Sequence, residues 1–201
     1  MKTETEKKFD HLVSKIIWPE FKKDGYKKSG NNFRYFDDSG FGKIVNFQKS
    51  MYGNKNDIRF TVNIGVYLSD YEFYHSRTQS GNKFTEVKCA IRKRIGDLLN
   101  TRDKWYELTE ETNTNRLYRE IGNDFSGAVI PFLNRIQSKE DTIDLLAENS
   151  NYSPLTQIET LYHNGRQEQA FAVLDKEYGR AAERNNSRYK ENLDKLKDKL
   201  K

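Results

Sequence analysis

From Ile58 to Leu68 the chain alternates without a break: Ile58, Phe60, Val62, Ile64, Val66 and Leu68 are apolar, and Arg59, Thr61, Asn63, Gly65 and Tyr67 stand between them. A period of two puts one set on each face of a strand, so the pattern predicts one dry face and one wet face. The preceding stretch, Lys43 to Met51, reads as a second strand carrying Asn46 and Gln48. Shorter extended pieces are expected at Tyr26 to Gly30 and Asn32 to Phe36, with a turn at Asp37-Asp38-Ser39-Gly40 and a polar loop over residues 52–57. Strands joined by short polar turns make an antiparallel meander.

Helical spacing brackets this sheet. Phe9, Leu12, Val13, Ile16, Ile17 and Phe21 predict an amphipathic helix over residues 4–23, ended by Asp24-Gly25 and kinked or broken at Trp18-Pro19. Residues 69–85 read as an irregular excursion. Val87, Ala90, Ile91, Ile95, Leu98 and Leu99 return to helical spacing, Trp105 to Leu108 to a strand, and Leu117, Ile121, Phe125, Val129, Phe132 and Ile136 to a longer helix that Gly122, Gly127 and Pro131 should bend or break. From Ser138 onward only helices are expected. Starts lie at Ser138-Lys139-Glu140-Asp141 and Ser153-Pro154, a hairpin turns at Asn164-Gly165, and Tyr189, Leu193, Leu196 and Leu200 form a narrow seam that must dock on the body or on a second subunit. The stretch Leu161 to Phe171 is similar to part of a tetratricopeptide unit, but no second copy follows. The fold class is α+β: a meander of about four to five strands covered by the N-terminal helix and later helices over residues 1–137, with an all-helical extension over 138–201.

Composition narrows the function less than the fold. The chain has 201 residues and a formal net charge of +5, but residues 176–201 alone hold nine Lys or Arg against five Asp or Glu. The body is therefore nearly neutral and lacks a concentrated basic face for phosphate. A single cysteine, Cys89, expected as a small buried side chain on a helix, makes no intrachain bridge and fits a reducing cytoplasm. No apolar run is long enough for a membrane span or a signal peptide, so a soluble intracellular protein is expected.

Two groups of side chains could carry a function. Asn46, Gln48, Arg59, Thr61, Asn63 and Tyr67 combine amides, hydroxyls and a planar cation on the wet sheet face, which suits recognition of a polar partner. Lys88, Arg92, Lys93 and Arg94 form a basic cluster that a helix would align as an anion patch. His11, His75 and His163 have no ligand spacing, Gly40-Phe41-Gly42 is a turn rather than a dinucleotide fingerprint, and Asp37-Asp38 and Glu110-Glu111 read as solvated turns. No metal, cofactor or catalytic residue is predicted.

The stretch Gly25 to Phe33, then Val45 to Ser50 and Phe60 to Tyr67, followed by Arg94-Ile95-Gly96-Asp97-Leu98, Trp105-Tyr106 and Ile130 to Leu133, resembles an uncharacterised bacterial family, domain of unknown function 4304, over roughly residues 5–137. The resemblance implies an α+β domain of cytoplasmic bacterial type and brings no catalytic residues with it. The leading expectation is a non-catalytic module that holds a protein partner by the polar sheet face, the 69–85 loop or the helical extension, a toxin-immunity role being one version. The alternatives are nucleic-acid binding through the basic cluster and the C-terminal helix, and a hydrolase or transferase whose pocket gathers Arg59, His75 and Tyr67. A homodimer through the C-terminal helix is a further expectation.

Overall fold

The computed structural model describes residues 1–148 and 153–200. Helix α1 spans residues 4–23 and opens on a capping box, in which Thr3 Oγ1 accepts from the Glu6 N–H and the Glu6 carboxylate accepts from the Thr3 N–H. Its middle, Leu12–Ile17, is wound as a π-helix, and Pro19 follows two residues later. Helix α4, residues 114–134, repeats the device with a π-turn at Phe125–Val129 and Pro131 just beyond it. A proline offers no N–H to the carbonyl four residues back and its ring pushes on that carbonyl; a widened turn absorbs both. The expected breaks are therefore π-turns inside continuous helices.

Six strands form one antiparallel sheet: β1 (Lys27–Ser29), β2 (Asn32–Phe36), β3 (Phe41–Lys49), β4 (Asp57–Leu68), β5 (Ile91–Arg94) and β6 (Tyr106–Thr109), in the order β1-β2-β3-β4-β5. The free edge of β4 is shared, β6 pairing with residues 57–60 and β5 with residues 63–66. Gly30, at φ 57°, closes the β1–β2 hairpin as the first residue of a two-residue loop, a position that favours glycine. Helices α1 and α4 lie on the dry face. Phe9 meets Phe60 edge-on at 5.1 Å, Trp18 and Phe21 lean on Phe33, and Phe47 stacks on Phe125 at 5.7 Å. Buried Lys43 shares that face, donating to the Leu133 carbonyl in the last turn of α4 at 2.9 Å, where a cation suits the helix end.

Two expectations between the strands are corrected. Residues 69–76 are a helix, α2 (Ser69–Ser76), rather than irregular chain. Residues 87–99 are not one helix: they pass from a 3-10 turn (Glu86–Lys88) through β5 to a single turn, α3 (Ile95–Leu98). The cause is tertiary. The outer edge of β4 over residues 63–66 carries backbone groups that need partners in a buried setting, and the 91–94 segment supplies them.

The extension holds α5 (Lys139–Glu148), α6 (Pro154–His163), α7 (Gln167–Glu183) and α8 (Ser187–Lys199), with Gly165 at φ 78° in the α6–α7 turn. Helix α5 starts where expected: Ser138 Oγ accepts from the Asp141 N–H and the Asp141 carboxylate accepts from the N–H groups of Gln137 and Ser138. The seam of α8 is occupied within the chain, since Leu193, Leu196 and Leu200 are buried in the common core and Lys199 pairs with buried Glu159. The extension also meets the body: Lys139 pairs with Asp70 at 2.6 Å, Arg77 with Glu159 at 3.3 Å, and Tyr74 stacks on His163 at 5.1 Å. Among the described residues no helix is long and apolar enough to cross a membrane.

Candidate functional site

The face of β4 opposite α1 is not uniformly wet, which corrects the sequence expectation. Tyr67 is 0% exposed and Thr61 0%, while Asn63 is 6% exposed. At the Tyr67 end the 80–90 segment folds over the sheet. Phe84 stacks on Tyr67 at 4.2 Å, and Cys89 comes so close to Gly65 that a Cβ there would lie 2.5 Å from its sulfur. A buried carboxylate ties this segment down. Glu72 on α2 accepts from Tyr67 Oη at 2.6 Å, the Ser80 N–H at 2.7 Å, Ser80 Oγ at 2.8 Å and Lys88 Nζ at 2.6 Å. Burial opposes its charge, yet the bonds from Lys88, Tyr67 and Ser80 outweigh burial and hold the carboxyl down at about 2. The same burial, reinforced by Glu72, pushes the Tyr67 phenol up to about 12. Thr61 is covered at the other end, donating to the Lys104 carbonyl at 2.8 Å.

Between these covers a strip of the face stays open. Register sets Asn32, Asn46, Asn63 and Arg94 in one row across β2, β3, β4 and β5. Asn63 Nδ2 donates to Asn46 Oδ1 at 3.2 Å and to Gln48 Oε1 at 2.8 Å, and Asn46 Nδ2 donates to Asn32 Oδ1 at 2.9 Å. Asn32 and Asn46 are half-buried and Gln48 is exposed, so the ladder is anchored from behind by Asn63 and reaches solvent at its other members. Arg94 donates to Asp103 at 2.6 Å and lies over the Trp105 ring at 5.7 Å, and Trp105 Nε1 donates to the same carboxylate at 2.9 Å. A fixed row of amides thus ends in a guanidinium beside a half-exposed indole.

The structure joins part of one predicted group to part of the other. Asn46, Gln48 and Asn63 come together as expected; Arg59 stands farther along β4 and pairs with Glu107 at 3.1 Å; Thr61 and Tyr67 are sealed. The anion patch is dispersed because its residues lie on an irregular turn and a strand, not a helix. Lys88 is held by Glu72, Arg92 and Arg94 point to the ladder's face, and Lys93, opposite Ile64, points to the other. Asn32, Asp103 and Trp105 were missed, since only register and the fold of the 99–105 loop bring them to the strip.

The remaining candidates lie apart from the strip. Cys89 is buried off the predicted helix, its thiol raised well above the ordinary value, first by burial and then by Glu86. His11 stacks on Tyr118, His75 lies within 3.3 Å of Thr156 Oγ1, and no cluster of possible metal ligands exists among the described residues. The pocket of Arg59, His75 and Tyr67 does not form: Arg59 borders the 53–57 loop, His75 borders a cavity beside Lys88, and Tyr67 is sealed.

No curated protein and no solved structure matches the chain. A family model does match, over residues 17–135, which take in all six strands, α1 from Ile17 onward, and α4. That stretch holds the whole amide row together with Arg94 and Trp105, and the chain belongs to the family described as a domain of unknown function, DUF4304.

Proposed function

We propose that the protein is a non-catalytic binding module of bacterial cytoplasmic type that holds a protein partner against the open strip formed by Asn32, Asn46, Gln48, Arg94 and Trp105. The observation that carries this reading is the ladder itself: donors and acceptors locked across the strands meet a partner without first losing side-chain freedom. Its Arg–Trp end supplies the residue types that dominate binding energy at protein interfaces. A partner face carrying carbonyls, hydroxyls and a carboxylate complements it, and a toxin-immunity role is one concrete form of the proposal. A lone buried cysteine fits the reducing compartment.

Nucleic-acid binding draws less support, because several cations it would use are spent inside the chain: Lys88 on Glu72, Arg180 on Glu177 and Lys199 on Glu159. The discriminating experiment is affinity capture from the source organism with the wild type and with Asn46→Ala/Gln48→Ala/Arg94→Ala. Loss of a specific partner by a variant that melts as the wild type does supports the proposal. Equal recovery by both, or capture of nucleic acid that disappears with salt, overturns it.

A further inference from the structure

A concave surface lies beside the strip. The outward face of the β1–β2 hairpin and the turn at Gly81–Lys83 enclose a cavity of about 620 Å³, within the size range of small-molecule sites. Lys27, Arg34 and Lys83 line it, against one carboxylate, Asp38, so its wall carries a surplus of positive charge. Among the described residues none of the three cations has a carboxylate within ion-pair distance, in contrast to Lys88, Arg94 and Lys104 elsewhere on the molecule.

Arg34 is the built element. It is half-buried, and its Nε donates to the Phe84 carbonyl at 2.6 Å, which fixes the guanidinium plane while leaving the two terminal nitrogens as a donor pair. Its proton affinity is lowered, chiefly by desolvation, with Glu86 opposing the shift. A partly desolvated cation without an anionic partner is costly, and an anion arriving at its free nitrogens offsets that cost. Phe36 gives the cavity an apolar wall that cannot easily move, since its ring packs on Tyr67 and Phe84. Ser29 and Asn82 add neutral hydrogen-bonding groups.

We infer that this cavity binds a small phosphate monoester, with the phosphate held by the Arg34 fork between Lys27 and Lys83 and the organic part lying on Phe36. The site is independent of the partner-binding strip: it uses other side chains and takes a different class of ligand. Nucleotides and sugar phosphates share the required chemistry, and the probes separate them.

Titration calorimetry on the full chain at low salt, with adenosine 5′-monophosphate, glucose 6-phosphate and inorganic phosphate, tests the inference. Saturable binding of one ester at about 1 mM or tighter, and at least roughly tenfold tighter than inorganic phosphate, is expected. Arg34→Gln should weaken it at least about tenfold. Because Arg34 also holds the 80–90 segment, the exposed pair Lys27→Gln/Lys83→Gln provides a second reading that leaves the fold alone, and it should weaken binding too, whereas Gln48→Ala should not. No saturable binding of either ester, equal binding of inorganic phosphate, or undiminished binding by the Lys27/Lys83 variant overturns the inference.

Discussion

Glu72 offers the sharpest test of how the sheet face is sealed. In the folded chain its carboxyl sits at about 2 against an ordinary 4.5, a gap equivalent to about 3 kcal/mol of preference for the charged form. Its partner Lys88 is 41% exposed, so water screens part of that attraction and about 2 kcal/mol is the expected contribution at pH 7. Glu72→Gln keeps the shape, removes the charge, and should lower stability by that amount, or the melting temperature by roughly 4–8 °C for a chain of this size. The sign with pH follows from the depressed value. The unfolded carboxyl takes up its proton near 4.5 and the folded one only near 2, so the wild-type advantage is complete above about pH 5 and disappears as pH falls toward 2. Urea unfolding of both proteins at pH 7, 5, 4 and 3 measures it. A difference under about 0.5 kcal/mol at pH 7, or one that does not shrink below pH 4.5, would refute the claim that Glu72 clamps the 80–90 segment by its charge.

Other substitutions probe the same architecture. Gly65→Ala would set a Cβ 2.5 Å from Cys89 Sγ and should cost about 1–3 kcal/mol in urea unfolding; a neutral effect would mean that Cys89 does not press on the strand. The Cys89 thiol should react with a maleimide at less than about a hundredth of the rate seen in urea, and rapid labelling of the native chain would contradict the seal. Burial lowers the proton affinity of Lys43, with Asp24 and Asp141 opposing, so the folded chain gains stability as pH rises through the lowered value. Lys43→Met, free of that burden and leaving Gln137 as a donor to the Leu133 carbonyl, should be more stable by roughly 1 kcal/mol at pH 7, with the lead shrinking toward pH 10. A variant less stable than wild type at pH 7 would show that the Lys43 bond outweighs its desolvation.

The elements that could be read directly are those whose periodicity outlasts any competing pattern. Strands β3 and β4, helix α1 and the α6–α7 hairpin fall where alternation, helical spacing and Asn164-Gly165 put them. Strand β5 was hidden because Val87, Ala90, Ile91 and Ile95 also fit a helix, and only the unpaired edge of β4 decides between the two. Helix α2 leaves no stop signal in the sequence, because it ends on Arg77 at φ 58° instead of on a glycine. The site divides in the same way. Asn46, Gln48 and Asn63 were legible as neighbours once β3 and β4 were paired. Arg94 and Asn32 needed the register of two further strands, and the burial of Thr61 and Tyr67 depends on segments about 20 to 40 residues away in sequence folding back over the sheet.

The most direct measurement of the binding proposal is site-specific photocrosslinking in the source cells. A photoreactive phenylalanine analogue is placed at Gln48, on the strip, and in a second protein at Lys176, on exposed α7. The account predicts a discrete protein adduct from position 48, lost when Arg94→Ala is added, and none of that mass from position 176. An adduct from position 176 with none from position 48 would contradict it.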